Sequence, residues 1–492
     1  MMESRQSFTG RIYTDVRARF VTAGLAEAAL VIIVPSLLLG TLVVFQPFSA
    51  LVLCVPLVLG LLAVLAPVAP AVFLTLIVLL QPPLLRILPD TSNAWTVLKR
   101  LDEFSLAALL PLALLRLYQQ GKKPLPTTTF LGLLAVSALG LFGSLLNHTP
   151  FHIVALDAFL LFKGFAAFVI LSAFPPSPRI LTGLIRVLVV FAVVVGLLGV
   201  LEVTSPDSFR TVLPLSRSGG YRHDVPCLVS VFDGAGQAGW FFAFMASGAF
   251  AFYLAKRSTF SLGLLLFFSL CAFLTLRRKP VGGIAAMLAV SLLLAYKPRL
   301  RARSVLALVA TAVVCVVAFG DIFLPIFVEG YDTYLAPDDP YQVARNAMYL
   351  TSLQIAMDYF PLGAGFGLFG GYASQLFYSS VYYDYGLSGV WGLSPQFNRF
   401  MLDAFWPHVL GQFGFFGLVA FLLALLGVWL PHVRRCRTLA FGPATVLSCA
   451  AVLSFTEALV ESTAESTFEG TLSSFFLFGL AAVASNATTH EA

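Results

Sequence analysis

Long apolar runs follow one another along almost the whole chain, and short polar segments separate them. Each run is about 20 residues long, the length of helix that crosses a ~30 Å hydrocarbon layer. The pattern predicts about fourteen spanning helices, or about twelve if the proline-containing second and third form a re-entrant pair. The predicted spans lie near 23–46, 48–66, 69–86, 104–118, 129–146, 153–174, 180–203, 237–255, 258–276, 280–296, 304–327, 406–430, 440–457 and 467–486.

The composition agrees with this pattern. Hydrophobic residues make up 59% of the 492 residues and charged residues 11%, with a mean hydropathy of +0.91. Soluble globular proteins carry about 25% charged residues, so this chain has too little polar surface for a water-soluble fold. We therefore expect an all-α, polytopic transmembrane helical bundle. The same numbers exclude a soluble enzyme, a nucleic-acid-binding module and a disulfide-stapled secreted domain.

Lysines and arginines predict the orientation of the bundle. They concentrate in alternate loops, which the positive-inside rule places in the cytoplasm. Segment 1–22 is then cytoplasmic, and the apolar run after it is too long for a cleavable signal. Spanning helices with short loops fill 23–327, and a long hydrophilic segment at 328–405 lies on the outer side, here called the outer segment. Further spans occupy 406–486, and 487–492 form a tail.

Three consecutive cations oppose the orientation rule. Arg277, Arg278 and Lys279 fill a hairpin between two apolar spans on the outer side, with no carboxylate beside them in the sequence. Cations at this depth are costly and need compensation. We favour an anion site at the outer interface, and the alternative is snorkelling to lipid phosphates. Arg222, in the preceding outer loop, is a further candidate ligand for a diphosphate or an acidic sugar.

The outer segment is rich in tyrosine. Ten of the 15 tyrosines lie between Tyr331 and Tyr385. A tyrosine offers a flat apolar face and a hydroxyl group with few rotatable bonds, which suits a sugar ring. We predict a sugar-binding surface, and the alternative is an aromatic belt at the membrane interface. The candidate sugar-binding side chains are Tyr341, Tyr349, Tyr372, Tyr383 and Trp391.

The middle of the outer segment predicts a helix from about Tyr341 to Tyr359, followed by a glycine-rich tight turn. The glycine run lacks the Gly-Lys-Ser/Thr ending of a phosphate-binding loop. Arg345 lies on the predicted helix. It is either an ion-pair partner of Asp338 or Asp358 or a bidentate phosphate ligand.

Several charged or titratable residues lie at or inside the apolar runs. His408 begins the span after the outer segment, where it either accepts a proton near neutral pH or forms an interfacial hydrogen bond. Asp157 and Lys163 face different sides of one span, so each needs a partner on another helix. Four glutamates recur every four residues and, if helical, form a stripe that needs counter-cations such as Arg277 or Arg399. We interpret this stripe as structural, with the alternative that one member orients a catalytic group; its members are Glu457, Glu461, Glu465 and Glu469.

Together these residues resemble the O-antigen ligase and polymerase family, integral-membrane glycosyltransferases that act on undecaprenyl-diphosphate-linked sugars. The similarity covers roughly 180–430 and rests on the order and spacing of its parts. These parts are Leu276-Arg277-Arg278-Lys279, Arg345 with Tyr349, the run Pro361-Leu362-Gly363-Ala364-Gly365-Phe366-Gly367, the outer segment, and His408 with Leu410, Gly414 and Gly417. Val409 replaces an Asn that many members have, and Arg277 replaces a Ser frequent in ligases.

The resemblance implies a GT-C-like helical core and glycosyl transfer without a metal or other cofactor. The donor is a glycan on undecaprenyl diphosphate, and a hydroxyl group of the acceptor sugar attacks its anomeric carbon. By analogy, Arg278 and Arg345 hold the leaving group, where cations lower the barrier, and His408 activates the acceptor hydroxyl. The candidate diphosphate ligands are Arg277, Arg278, Lys279, Arg345 and Arg222. The site faces the periplasm from the bacterial inner membrane.

The run from Tyr382 to His408 is more similar to exopolysaccharide polymerases, which join lipid-linked repeat units into exopolysaccharide or O-antigen. One alternative is an O-antigen ligase, which transfers the glycan to lipid A core. A flippase or other transporter is the alternative of another class, and it predicts pseudo-symmetric halves with cations around a central cavity. The expected partners are the lipid-linked oligosaccharide as donor and acceptor, membrane lipid, and a chain-length regulator as a further candidate. No nucleic acid is expected.

Overall fold

The computed structural model describes residues 58–89, 92–213, 220–222, 224–294, 298–336, 339–438 and 442–487. Within these ranges, α-helices account for nearly all of the regular structure, which confirms the all-α class. The rest consists of three short 3₁₀ helices and a short antiparallel pair of strands, β1 (Tyr221–Arg222) and β2 (Val225–Pro226). The predicted segment 1–22, the span at 23–46, most of the span at 48–66 and nearly all of the tail lie outside the described residues.

The helices are numbered here in chain order within the described residues. They are α1 (Ala69–Ile87), α2 (Asn93–Gln119), α3 (Thr127–Leu146), α4 (Phe151–Ala173), α5 (Pro178–Thr204), α6 (Pro206–Val212), α7 (Ala235–Lys256), α8 (Thr259–Leu274), α9 (Arg278–Leu294), α10 (Pro298–Tyr334), α11 (Ala344–Asp358), α12 (Tyr372–Phe377), α13 (Val381–Asp384), α14 (Phe405–Thr438), α15 (Pro443–Glu461) and α16 (Thr471–Ala487).

Seven helices of the described chain are long and apolar enough to cross a membrane, namely α1, α3, α4, α5, α7, α14 and α15. Helices α8 and α16 are apolar but shorter. The outward side of α3 carries exposed apolar side chains, among them Leu131, Phe142 and Leu145. Such a surface is unfavourable in water and suits contact with lipid. The chain is therefore a multi-pass membrane protein, and the total of twelve to fourteen spans stays a prediction.

The described residues divide into two compact units, with boundaries inside α4 and α5. The first comprises 58–89, 92–124 and 165–190, and the second comprises 125–164, 191–213 and the described residues from 220 onward. In the first unit, the buried amide of Gln81 on α1 donates hydrogen bonds to Leu98 O (2.7 Å) and Asp102 Oδ1 (2.9 Å) on α2. All residues of the predicted site belong to the second unit.

Helix α14 is broken near its beginning. Gly414 has φ 65° and ψ −169°, a conformation that is essentially restricted to glycine. The break leaves the carbonyl oxygens of Gly411 and Gln412 free to accept hydrogen bonds from the backbone N–H groups of Ala364 (3.0 Å) and Gly365 (2.8 Å). Irregular backbone in an apolar environment requires such pairing. Segment 363–371, here called the glycine-rich segment, therefore supplies the hydrogen-bond donors that the broken helix lacks.

The glycine-rich segment packs too closely for side chains. A Cβ atom on Gly365 would lie 2.3 Å from the backbone nitrogen of Ser144 on α3, and the φ of Gly365 is +102°. The hydroxyl of Ser144 accepts a hydrogen bond from Phe366 N (2.8 Å), and the Asn147 amide donates one to Ala364 O (2.8 Å). Glycines are therefore needed here for close approach between the segment, α3 and α14.

Several helix ends differ from the boundaries that hydropathy predicts; α2, for example, begins at Asn93 and not near 104. Two of these differences bear on the site. Helix α10 continues past 327 to Tyr334, because its last turns are polar but still helical. Helix α15 ends at Glu461, so Glu465 and Glu469 lie in the connection to α16 and the four glutamates do not form one helical stripe. Hydropathy marks the apolar part of a helix and not its hydrogen-bonded ends, which accounts for both differences.

The packing of Gly365 generates a stability prediction. Gly365→Ala forces a methyl group into the Ser144 backbone at a positive φ, and it should cost at least ~2 kcal/mol by overpacking and backbone strain. We expect a clearly lower thermal unfolding midpoint in detergent. Gly389→Ala is the matched control, because nothing lies within 4 Å of its added Cβ. Equal midpoints for the two variants would contradict the packing described here.

Candidate functional site

Arg278 is the first residue of α9, directly after the tight turn from α8. Its Nη1 donates a hydrogen bond to Ile326 O on α10 (3.0 Å). The guanidinium packs on Gly330 of α10, where an added Cβ would lie 1.5 Å from Nη1. No carboxylate among the described residues forms an ion pair with Arg278. Its remaining N–H groups are therefore available to an anion.

Tyr334 brings two of the predicted arginines together. The guanidinium carbon of Arg345 lies 4.5 Å from the centre of the Tyr334 ring, and that of Arg278 lies 5.2 Å from it. Such cation–π contacts stabilise a cation without neutralising it. Arg345 also donates from Nε to Asp403 O (3.2 Å), and its Nη2 lies 3.5 Å from Asp403 Oδ2. Two arginines from distant parts of the chain thus share one aromatic ring.

Among the described residues, Arg345 contacts a carboxylate that the sequence did not suggest. Asp358 accepts a hydrogen bond from the Tyr385 hydroxyl (2.7 Å), and Asp338 lies outside the described residues. The observed partner, Asp403, is far away in sequence. Helical spacing could not reveal it, because only the tertiary fold brings 403 next to α11.

Arg222 joins the same region from the β1–β2 hairpin. Its Nη2 forms an ion pair with Glu329 Oε2 on α10 (2.7 Å), and its Nη1 donates to Leu276 O (3.1 Å). Arg222 and Arg345 both repel Arg278 electrostatically. The hairpin therefore adds a third cation on the same side of α10.

Lys279 faces the connection between α15 and α16. Its Nζ donates to Ala464 O (2.6 Å), forms a close ion pair with Glu465 and lies 4.0 Å from Glu461. It is the cation in contact with these glutamates. Arg277, exposed directly before α9, adds to their electrostatic stabilisation, as the sequence suggested for Arg277 or Arg399. We call Arg222, Arg277, Arg278, Lys279 and Arg345 the outer cation cluster.

His408 lies in a different environment from the outer cation cluster. Its side chain is completely buried near the start of α14. Its Nδ1 lies 2.9 Å from Glu469 Oε1, and its Nε2 lies 3.5 Å from Asp157 Oδ2. The carboxylates are at ion-pair distance without the alignment of a hydrogen bond. Both ring nitrogens therefore face acidic groups of the protein.

The glycine-rich segment packs against Asp157, one member of the buried triad formed by Asp157, His408 and Glu469. Gly367 N donates a hydrogen bond to Asp157 Oδ2 (3.0 Å), and a Cβ on Gly371 would lie 2.6 Å from Asp157 Oδ1. The prediction that Asp157 has a partner on another helix is confirmed. It did not single out His408 as that partner or Glu469 as the second carboxylate, although Glu469 belongs to the glutamate repeat.

The candidate sugar-binding residues do not form one surface. The Tyr349 hydroxyl donates to Thr463 O (2.9 Å), next to the Ala464 carbonyl that Lys279 contacts. Burial raises the pKa of Tyr349 to about 12, so it remains a hydroxyl donor. Tyr349 and Lys279 therefore bond adjacent carbonyl groups, which links Tyr349 to the outer cation cluster.

The other candidates lie at separate positions. Tyr341 accepts a hydrogen bond from the Gln354 amide (3.3 Å), and Tyr372 is half-buried at the start of α12. Tyr383 is exposed and contacts the ring of Tyr378. Trp391 is 71% exposed and packs on Phe397 and Phe400, which makes a rigid aromatic surface suitable for stacking against a sugar.

The sequence pattern marks no functional role for Tyr334, Gly330, Glu329 or Asp403. Tyr334 belongs to the tyrosine-rich run, and Asp403 directly precedes the His408 segment. Nothing in their spacing marked them, since their partners come from other helices. Among the described residues, no group of three or more His, Cys, Asp or Glu side chains is arranged to hold a metal ion.

Comparisons with known proteins add no identification. No protein-family model matches the chain, and no curated protein matches it. The resemblance to the O-antigen ligase and polymerase family therefore stays a prediction that rests on the residues named above.

The buried triad generates a prediction about stability. His408→Gln leaves Asp157 and Glu469 facing each other without a cation, and removal of one member of a buried ionic group costs roughly 3–5 kcal/mol. We expect a large fall in the thermal midpoint of the purified protein. Adding Glu469→Gln to the variant should recover part of the loss.

His152→Gln is the control for this experiment, because His152 is exposed at the start of α4. It should leave the midpoint unchanged. A His408→Gln protein as stable as its parent would argue against a buried ionic triad.

Proposed function

We propose that this protein is a polysaccharide polymerase of the bacterial inner membrane. It joins undecaprenyl-diphosphate-linked oligosaccharide repeat units into an exopolysaccharide or O-antigen at the periplasmic face. The observation that carries the proposal is the pair Arg278 and Arg345 on the ring of Tyr334, with no described carboxylate paired to Arg278. We assign the bundle to the GT-C-like class on the resemblance alone.

The chemistry of the leaving group supports this proposal. When the anomeric C–O bond breaks, the lipid diphosphate gains negative charge, and cations already in place lower the barrier. Guanidinium groups suit this task because they can donate two parallel hydrogen bonds to phosphate oxygens. Tyr334 and Gly330 pack against the guanidinium of Arg278 and position it without neutralising its positive charge.

The structure gives less direct support for how the acceptor hydroxyl is activated. The resemblance gives His408 the task of activating the acceptor hydroxyl. His408 is completely buried and flanked by two carboxylates. An acceptor therefore reaches the imidazole only if the buried triad opens. In the arrangement described here, His408 acts on the site by holding α14, α4 and the 462–470 connection together.

The proposed function predicts the effect of three substitutions near the cations. Arg278→Ala and Arg345→Ala should each lower glycosyl transfer by roughly 100-fold or more, the usual cost of losing a group that stabilises developing charge. Gly330→Ala keeps every charge but displaces the Arg278 guanidinium, so we expect a loss of about 10-fold or more from misplacement alone. Arg399→Ala, at an exposed arginine of the outer segment, is the matched control.

The measurement uses the purified protein in lipid, with EDTA present. The donor is the lipid-linked oligosaccharide extracted from cells that lack this protein, and the products are separated on a gel. A ladder of products that the arginine variants lose supports the polymerase. Transfer that requires added lipid A core would instead indicate a ligase. Movement of the lipid-linked oligosaccharide across the vesicle membrane without any glycosyl transfer would indicate a flippase and not an enzyme.

A further inference from the structure

Three partly exposed carboxylates surround the outer cation cluster. They belong to Glu329, Asp403 and Glu465, whose side chains are 47%, 41% and 51% exposed. Glu329 and Glu465 each accept a hydrogen bond from a cation, Arg222 and Lys279 respectively. One oxygen of each of these carboxylates is therefore engaged in a hydrogen-bonded ion pair that also holds the cation.

The carboxylate of Asp403 contacts its cation differently from those of Glu329 and Glu465. Its carboxylate oxygen Oδ2 lies 3.5 Å from Arg345 Nη2, while the hydrogen bond from Arg345 Nε goes to the Asp403 backbone oxygen (3.2 Å). No hydrogen bond to this carboxylate comes from the residues that the structure describes. The backbone is nevertheless fixed, because Asp403 N donates to Phe400 O (3.1 Å) and Phe405 N donates to Ser462 O (3.1 Å). The result is a positioned carboxylate with accessible oxygens.

The position of Asp403 suits a proton acceptor. The anomeric carbon is one bond from the diphosphate oxygen that leaves, so the attacking hydroxyl arrives close to the guanidinium groups that hold the diphosphate. A general base must lie within hydrogen-bond reach of that hydroxyl. Asp403 contacts Arg345 directly, whereas His408 is buried among Asp157 and Glu469.

We propose that Asp403 is the catalytic base of the transfer, the group that takes the proton from the attacking hydroxyl of the acceptor sugar; this assignment rests on the proposed function. The hydroxyl oxygen forms the new bond to the anomeric carbon with one of its lone pairs. The bond from that carbon to the diphosphate oxygen breaks, and its electron pair leaves with the lipid diphosphate. The hydroxyl proton moves to the Asp403 carboxylate, which later releases it to water at the exposed face.

The electrostatics of the carboxylates are consistent with this role. Partial burial raises the pKa of Asp403, and the nearby Arg345 and Lys279 offset only part of that effect. Burial acts in the same direction on Glu465, but Lys279 outweighs it and the pKa of Glu465 is lowered. A carboxylate with a raised pKa is the stronger base.

The decisive variant is Asp403→Asn, which keeps the size of the side chain and removes its basicity. Transfer should fall by roughly 100-fold or more, the range for loss of a general base. Binding of undecaprenyl diphosphate, measured by native mass spectrometry, should stay equal or become tighter, because Arg345 loses its competing carboxylate. A merely structural defect would weaken binding and transfer together. Asp403→Glu, which keeps the carboxylate, should retain more transfer than Asp403→Asn.

Glu465→Gln is the matched control, since it removes a carboxylate of similar exposure from the same region. It should reduce transfer far less than Asp403→Asn. The assignment is overturned if Asp403→Asn transfers within about 10-fold of the unaltered protein, or if it loses undecaprenyl diphosphate binding as well. If the unaltered protein transfers nothing, the proposed function itself fails and the assignment falls with it. Transfer by the parent protein therefore separates the two failures.

Discussion

The pairing of a broken helix with a glycine-rich segment is the constraint on which the second unit depends. Gly414 interrupts α14, and the carbonyl groups left without helical partners accept hydrogen bonds from Ala364 and Gly365. The segment reaches these groups only because its residues lack side chains at the points of contact with α3 and α14. Because an unpaired backbone group in an apolar environment costs several kcal/mol, the two irregular elements stabilise each other.

The second unit holds two groups of charged residues in different environments. Asp157, His408 and Glu469 are almost completely buried, and they connect α4, α14 and the connection before α16. The outer cation cluster is partly exposed and retains cationic capacity, since Arg278 rests on Tyr334 and Gly330. The buried group suits stability and positioning, and the exposed cluster suits binding of an anion.

The candidate site was partly visible in the sequence. Arg278 and Lys279 stood out because three cations on the predicted outer side oppose the orientation rule, and Arg345 stood out through the resemblance to the O-antigen ligase and polymerase family. Asp403 did not stand out, because no pattern links it to Arg345. The environment of His408 was also hidden, since an interfacial position in the sequence gives no information about the helices that pack over it.

The sequence by itself determined that the chain is an all-α, multi-pass membrane protein, because length and hydropathy act locally on each helix. It also located the glycine-rich segment and the residues of the outer cation cluster. Only the tertiary structure decided which charges meet. Ion pairs such as Arg345 with Asp403, or His408 with Glu469, join residues far apart in the chain, and their contact depends on how whole helices pack and not on local spacing.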